Sequence, residues 1–120
     1  MSYSLIIRSD DACSEQVDLA PIHSFLAGLP GMSSPNGIDC IWGGTGPYHM
    51  ELFLEFVGPP SEQGAKARQV INCIACHIPY AFLDPDDVDP AAYFRVCLRI
   101  AAHLGWRVYD PQGDHYVDAV

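Results

Sequence analysis

The chain has 120 residues, 49% of them hydrophobic, which suits one domain over residues 1–120 with a single core. Fifteen acidic and six basic side chains give a formal net charge of -9, which disfavours nucleic acid and anionic membrane surfaces as ligands. The apolar runs are too short for a bilayer-spanning helix, so we expect a soluble protein.

The first half of the chain predicts one helix and three strands. Residues 3–8 are rich in β-branched and aromatic side chains and predict a first strand. Asp18 is a candidate N-cap for a first helix, whose apolar stripe is Leu19, Ile22, Leu26 and Leu29. Residues 32–37 consist mainly of turn formers and predict a loop. Residues 38–42 and 49–57 then predict a hairpin.

The second half of the chain predicts a central strand, a helix and a terminal hairpin. Residues 70–82 form an apolar run that is typical of a buried strand. Asp89 and Pro90 begin a second helix that ends near Gly105. Its predicted core stripe is Phe94, Cys97, Leu98, Ala101 and Leu104, and a basic stripe of Arg95, Arg99 and His103 lies on the opposite face. Residues 106–109 and 115–117 predict two short strands.

This order of elements predicts an α+β fold. Strand alternation in residues 49–57 gives one apolar face and one face that carries carboxylates, as expected for a sheet that is covered on one side. We therefore expect an antiparallel sheet of four to six strands with two helices packed on one face, in a ferredoxin-like or related arrangement.

The sequence Cys73-Ile74-Ala75-Cys76-His77 matches the c-type haem attachment motif, but it lies within the predicted central strand. Side chains three positions apart on a strand point to opposite faces, so the two thiols would diverge and could not hold one haem. We assign Asn72, Cys76 and the other even-numbered residues of this strand to the core. Cys73 and His77 are then expected on the opposite face, within reach of solvent or a partner.

Metal sites are a weaker interpretation of the same residues. A zinc ion or another ligand could be held by residues near the fourth strand, with Cys40, His49, Cys73, Cys76 and His77 as candidates. The acidic segment 84–89 resembles the start of a calcium loop, but Val88, Asp89 and Arg95 stand where an oxygen ligand, a glycine and a bidentate acid are needed. We predict neither a metal nor a cofactor, and we find no catalytic constellation.

The odd number of cysteines, five, and the placement of three of them in predicted buried elements favour reduced thiols. Reduced thiols are typical of cytoplasmic proteins, so we expect a cytoplasmic location.

The segment from Ala101 to Gln112, a small-residue helix end followed by Leu104-Gly105-Trp106 and a strand that closes on Asp110-Pro111-Gln112, resembles small bacterial immunity proteins of secreted-toxin systems. The resemblance implies a cytoplasmic inhibitor that binds a cognate toxin. It assigns no functional residue.

The leading hypothesis is therefore a non-enzymatic acidic protein that binds a basic partner. An aromatic side chain flanked by carboxylates suits a binding hot spot with an electrostatic rim. The candidate contact residues are Glu51, Phe53, Glu55, Asp84, Asp86 and Asp87. The alternative is a small metal- or ligand-binding domain or enzyme that uses the Cys and His candidates above.

Overall fold

A computed structural model describes residues 2–43, 46–58, 69–83 and 86–118 of the chain. It contains two α-helices, nine short strands and one 3-10 turn within those residues. The elements are β1 (Ser2–Arg8), β2 (Val17–Asp18), α1 (Leu19–Ala27), β3 (Met32–Ser33), β4 (Cys40–Trp42), β5 (Met50–Glu55), β6 (Val70–Ile71), β7 (Cys73–Pro79), the 3-10 turn Tyr80–Phe82, α2 (Ala91–Leu104), β8 (Arg107–Asp110) and β9 (His115–Val117). No helix in this part of the chain is long and apolar enough to cross a membrane.

Seven of the strands form one sheet in the order β3-β4-β5-β7-β1-β8-β9, and every neighbouring pair is antiparallel. The predicted α+β class is confirmed, and β7 lies at the centre of the sheet as expected. The sheet is wider than the predicted four to six strands. One reason is that Met32 and Ser33, which the sequence placed in a loop, pair with Trp42 and Ile41.

The core lies on one face of this sheet. The side chains of β5 and β7 alternate, with Leu52, Ile74 and Cys76 fully buried on the helix-covered side. Ile22 and Leu26 of α1 belong to the same buried cluster as the inward side chains of α2. Both helices therefore cover the same side of the sheet, and the described residues place no helix on the other side.

The buried stripe of α2 differs from the predicted one. Tyr93 and Ile100 are fully buried, whereas Phe94, Leu98 and Leu104 are only half-buried. The predicted stripe does not include Tyr93 or Ile100, and the buried hydroxyl of Tyr93 has hydrogen-bond partners inside the fold. Gly105 ends the helix as predicted, in a left-handed conformation with φ of 71°.

The predicted continuous strand over residues 70–82 is interrupted at Asn72. Before it, β6 pairs with β2 in a separate two-stranded sheet, and after it β7 enters the main sheet. The side chain of Asn72 is 4% exposed. Its amide nitrogen donates to the carbonyl oxygens of Cys13 (3.2 Å) and Val57 (2.7 Å), and its amide oxygen accepts from the Val57 N–H (2.7 Å). Asn72 thus joins three segments that are distant in sequence.

We expect Asn72→Ala to lower the free energy of unfolding by about 1–3 kcal/mol, because it removes a buried amide that serves three backbone groups of Cys13 and Val57. Urea unfolding followed by circular dichroism measures this change. Gln16→Ala, at an exposed position, is the control and should change stability by less than about 0.5 kcal/mol. Equal effects of the two substitutions would contradict the role assigned to Asn72.

The turn between β8 and β9 is organised by the Asp110 carboxylate, which is 4% exposed. It accepts hydrogen bonds from the Tyr3 hydroxyl, from the Gln112 side chain and backbone, and from the Gly113 backbone. Burial alone would raise the pKa of Asp110, but these hydrogen bonds outweigh burial and leave the pKa below its ordinary value.

A pKa that is lower in the folded than in the unfolded chain means that the Asp110 carboxylate stabilises the fold above about pH 4 and that this contribution is lost as pH falls through the folded-state pKa. We expect Asp110→Asn to cost about 1–3 kcal/mol at pH 7 and to flatten the loss of stability between neutral and acidic pH. Urea titrations across that range measure both effects. Asp87→Asn, at an exposed carboxylate, is the control and should change stability at pH 7 by less than about 0.5 kcal/mol.

Candidate protein-binding surface

The side of the sheet opposite α1 and α2 is lined by every second residue of its strands. Backbone register places Phe53 beside Ala75, Ala75 beside Ile6, and Ile6 beside Tyr109, which pairs in turn with Tyr116. All five side chains are partly exposed. They form an apolar and aromatic row across five strands, and we call this side the open face.

Three of the predicted contact residues lie together on the open face. Glu51 is half-exposed and lies 3.7 Å from the His49 imidazole, measured from Oε1 to Nε2. Glu55, at the other end of β5, is exposed. Phe53 between them is only partly exposed, because its ring packs edge-on against the His77 ring with a centroid distance of 5.4 Å.

The remaining predicted contacts belong to the acidic segment after β7. Asp84 lies outside the described residues, whereas Asp86 and Asp87 are exposed. Val88, next to them, is buried and attaches the segment to the core. The Asp89 carboxylate accepts from the Ala91 N–H at 3.1 Å at the start of α2 and pairs with Arg95 at 3.3 Å.

Two tyrosine hydroxyls fix this acidic segment to the body of the protein. The Tyr48 hydroxyl accepts from the Asp89 N–H at 2.9 Å. The Tyr93 hydroxyl donates to the Phe82 carbonyl at 2.8 Å and accepts from the His49 N–H at 3.1 Å. The two rings pack with Trp42, at centroid distances of 5.4 to 5.6 Å. The exposed Asp86 and Asp87 therefore lie between two points, Phe82 and Asp89, that are bonded to tyrosine hydroxyls.

We expect Tyr93→Phe to lower the free energy of unfolding by about 1–3 kcal/mol, because it removes a buried hydroxyl that serves two backbone groups. Amide hydrogen exchange should accelerate at His49, whose N–H loses its acceptor. Tyr80→Phe is the matched control, since Tyr80 is 39% exposed, and it should change neither quantity. Unchanged exchange at His49 in the Tyr93 variant would contradict the bracing role.

The opposite end of the open face carries a cationic cluster that the sequence analysis missed. The Arg8 guanidinium lies over the Tyr109 ring at 4.4 Å, and the Arg107 guanidinium lies over the Tyr116 ring at 4.0 Å. Each arginine also pairs with a carboxylate, Arg8 with Asp11 at 3.3 Å and Arg107 with Asp118 at 3.7 Å. The pairing of β1 with β8 brings these residues together, and no local pattern in the sequence indicates that pairing.

The cysteine and histidine candidates for the alternative function do not converge. Cys40 and Cys76 are buried on the helix-covered side, whereas Cys73 and His77 belong to the open face. The described ranges hold no group of three or more His, Cys, Asp or Glu side chains placed to bind a metal. Cys73 and Cys76 point to opposite faces of β7, as predicted, and this geometry argues against haem attachment.

His77 makes one contact with a potential nucleophile. Its Nδ1 lies 3.2 Å from the Ser4 hydroxyl, its direct cross-strand partner on β1. A Ser–His contact supports acyl transfer when a third group orients the base and donors face the developing oxyanion. Here the imidazole packs against Phe53. We interpret the contact between Ser4 and His77 as a cross-strand pair that stabilises the sheet.

The prediction that solvent or a partner can reach Cys73 is wrong. Cys76 is fully buried, as predicted, but Cys73 is only 7% exposed although it points to the side without helices. Burial, followed by the charges of Cys13 and Glu55, raises the pKa of Cys73 to about 12. Cys13, in the segment after β1, contacts this end of the sheet, because its carbonyl accepts from the Asn72 side chain at 3.2 Å.

The predicted basic stripe on α2 is exposed at all three positions. Arg95 pairs with Asp89, and the His103 ring stacks on Phe25 with a centroid distance of 3.7 Å. Two of the three side chains thus have partners within the chain. These contacts support the interpretation of the stripe as a solvated helix face.

Comparisons with known proteins add no family assignment: no family model matches the chain, and neither a curated protein nor a solved structure matches it.

Proposed function

We propose that this chain is a non-enzymatic protein-binding domain that binds a basic partner through the acidic side of its open face. The observation that carries the proposal is the placement of Glu51, Phe53 and Glu55 on the face of β5 opposite the helices, together with the exposed Asp86 and Asp87 in the segment that Tyr48 braces. Basic side chains of a partner would pair with these carboxylates, and an apolar group would pack on Phe53.

Rigidity supports this choice of surface. Binding costs less entropy when the contact groups are already ordered. Glu51, Phe53 and Glu55 lie on a strand paired on both sides, and the acidic segment is held by the Tyr48 and Tyr93 hydroxyls. A ring flanked by charges also has the composition of a hot spot with a polar rim.

The negative net charge of the chain supports a basic partner. A chain with a formal charge of -9 attracts a basic protein over several ångströms, which raises the association rate at low salt. The cations of the open face already face carboxylates of their own chain. The carboxylates near β5 are thus the charges best placed to attract a basic partner.

A bacterial toxin is the partner class that the resemblance of residues 101–112 favours, and the chain would then act in the cytoplasm as its immunity protein. In the fold this segment is the end of α2, its cap and β8, with Trp106 6% exposed. Its role is therefore to build the scaffold, and the toxin contacts are assigned to the acidic surface.

We also propose that this α+β fold is related to ferredoxin-like folds. The strands β7 and β8 both pair antiparallel with β1 and so run parallel to each other on either side of it, with α2 as their connection. This is the split β-α-β arrangement of that group.

Isolation of the native complex from the source cell, at low and at moderate salt, tests the function directly. Once the partner is purified, we expect the double variant Glu55→Lys with Asp87→Lys to lower its association rate about tenfold or more at low salt, because both charges attract a basic partner. Surface plasmon resonance separates this rate from dissociation. Phe53→Ala should instead raise Kd at least about 30-fold, mainly through faster dissociation.

The control is the double variant Glu15→Lys with Asp18→Lys, which makes the same change in net charge at exposed positions outside the proposed surface. It should lower the association rate much less. Failure to recover a stoichiometric partner at either salt concentration, or an equal loss in the control variant, would contradict the proposal. Thermal unfolding of each variant verifies that it is folded.

A further inference from the structure

The loop between β3 and β4 presents the dipeptide Asn36-Gly37 to solvent. Both residues are exposed, whereas Asn72, the other asparagine of the chain, is buried. An asparagine that precedes a glycine can lose its side-chain amide without an enzyme, because the backbone nitrogen of the glycine can attack the asparagine Cγ. Glycine permits this attack most readily, since it has no side chain to block the approach and it rotates freely.

The peptide nitrogen that must attack is not restrained. Gly37 has φ of 77°, and no atom lies within 4 Å of the position that a Cβ would take on it. The Gly37 N–H makes no hydrogen bond with the residues that the structure describes. The Gly37 peptide can therefore rotate toward Cγ of Asn36 without breaking a bond or meeting a neighbour.

The loop holds the Asn36 amide in an orientation that assists the reaction. Its Oδ1 accepts from the Asp39 N–H at 2.8 Å and from the Ile38 N–H at 3.0 Å. Attack on Cγ moves negative charge onto Oδ1, and N–H donors aimed at that atom stabilise the charge, as in an oxyanion hole. The amide nitrogen Nδ2, which must leave, donates to Oδ2 of Asp39 at 3.2 Å.

Asp39 also connects this loop to β5. Its Oδ1 accepts from the Leu54 N–H at 3.2 Å. Leu54 lies beyond the pair of Cys40 with Leu52, where the pairing of β4 with β5 ends, so the Asp39 side chain serves the edge of β5 that no strand partner reaches. A new carboxylate at position 36 would repel that of Asp39 and weaken its bond to Leu54.

We propose that Asn36 is a site of spontaneous deamidation in the folded protein, with water as the only co-reactant. The Gly37 nitrogen loses its proton to solvent and bonds to Cγ, and the bond between Cγ and Nδ2 breaks. Nδ2 takes up a proton from water and leaves as ammonia, so that a succinimide ring remains. Water then adds to one of the two ring carbonyls, and the ring opens to aspartate or to isoaspartate. The net reaction consumes one water and releases one ammonia.

The experiment incubates the folded protein at mildly alkaline pH and follows each asparagine by peptide mapping and mass spectrometry. We expect aspartate and isoaspartate to accumulate at Asn36, while Asn72 stays intact because its amide is buried and bonded to three backbone groups. The rate should rise with pH, since the deprotonated Gly37 nitrogen is the nucleophile. Asn36→Gln keeps an amide at this position but requires a larger ring, so its rate should be lower by about tenfold or more.

The same incubation in urea separates the effect of the fold from that of the dipeptide. Conversion of Asn36 in the unfolded chain but not in the folded protein would show that the loop protects the amide and would overturn the proposal. Equal conversion of Asn36 and Asn72 in the folded protein would overturn it as well, because the reaction would then not depend on the exposed dipeptide.

Hydrogen exchange tests the consequence for β5. Exchange of the Leu54 N–H should accelerate about tenfold both in the converted protein and in Asn36→Asp, because the added carboxylate weakens the bond to Asp39. Gln16→Glu adds the same charge at an exposed position outside this loop and should leave Leu54 unchanged. Unchanged exchange in Asn36→Asp would overturn the proposed link to β5. None of these readouts depends on a protein partner, so the result is independent of the proposed function.

Discussion

The central strand β7 constrains the rest of the sheet, because one of its faces is completely buried. Ile74, Cys76 and Ile78 all have no exposed surface. A shift of one residue would place His77 in the core and move these three side chains out of it, so the register is strongly specified. Through the pairs of Cys76 with Leu5 and with Leu52, the same register is imposed on β1 and β5. The side on which Phe53 lies follows from the burial of its neighbours.

The open face carries both positive and negative side chains. Ion pairs within the chain determine which of these charges are already compensated. Arg8 and Arg107 are direct cross-strand neighbours, an arrangement of like charges that destabilises a sheet when nothing offsets it. Here the rings of Tyr109 and Tyr116 and the carboxylate of Asp11 offset the repulsion. These cations are therefore compensated within the β1–β8–β9 corner, whereas the carboxylates of Glu55, Asp86 and Asp87 are exposed.

The elements that could be predicted from the sequence are those with a local signal. Alternation in β5 gave the correct faces for Glu51 and Phe53, and the Asp89-Pro90 start and Gly105 end of α2 follow from cap chemistry. The pattern failed at Asn72, whose bonding partner Cys13 is 59 positions away. It failed again at Cys73, since strand parity predicts the face of a side chain but not whether another segment covers that face.

The candidate surface shows the same division between local and long-range information. The carboxylates and Phe53 could be chosen from the sequence because acidic and aromatic residues are visible there. The contacts that make this surface rigid could not be predicted from the sequence. The Tyr93 hydroxyl contacts the backbone of His49, which is 44 positions away, and the backbone of Phe82.

That one hydroxyl also connects the two halves of the surface. His49 immediately precedes β5, and Phe82 precedes the acidic segment. Because the Tyr93 hydroxyl of α2 bonds to the backbone of both residues, it fixes the distance between β5 and the acidic segment. The His49 and Phe82 rings pack at 5.1 Å and reinforce this spacing. A fixed spacing between charged groups favours a partner whose basic groups match it, which gives specificity beyond the attraction of net charge alone.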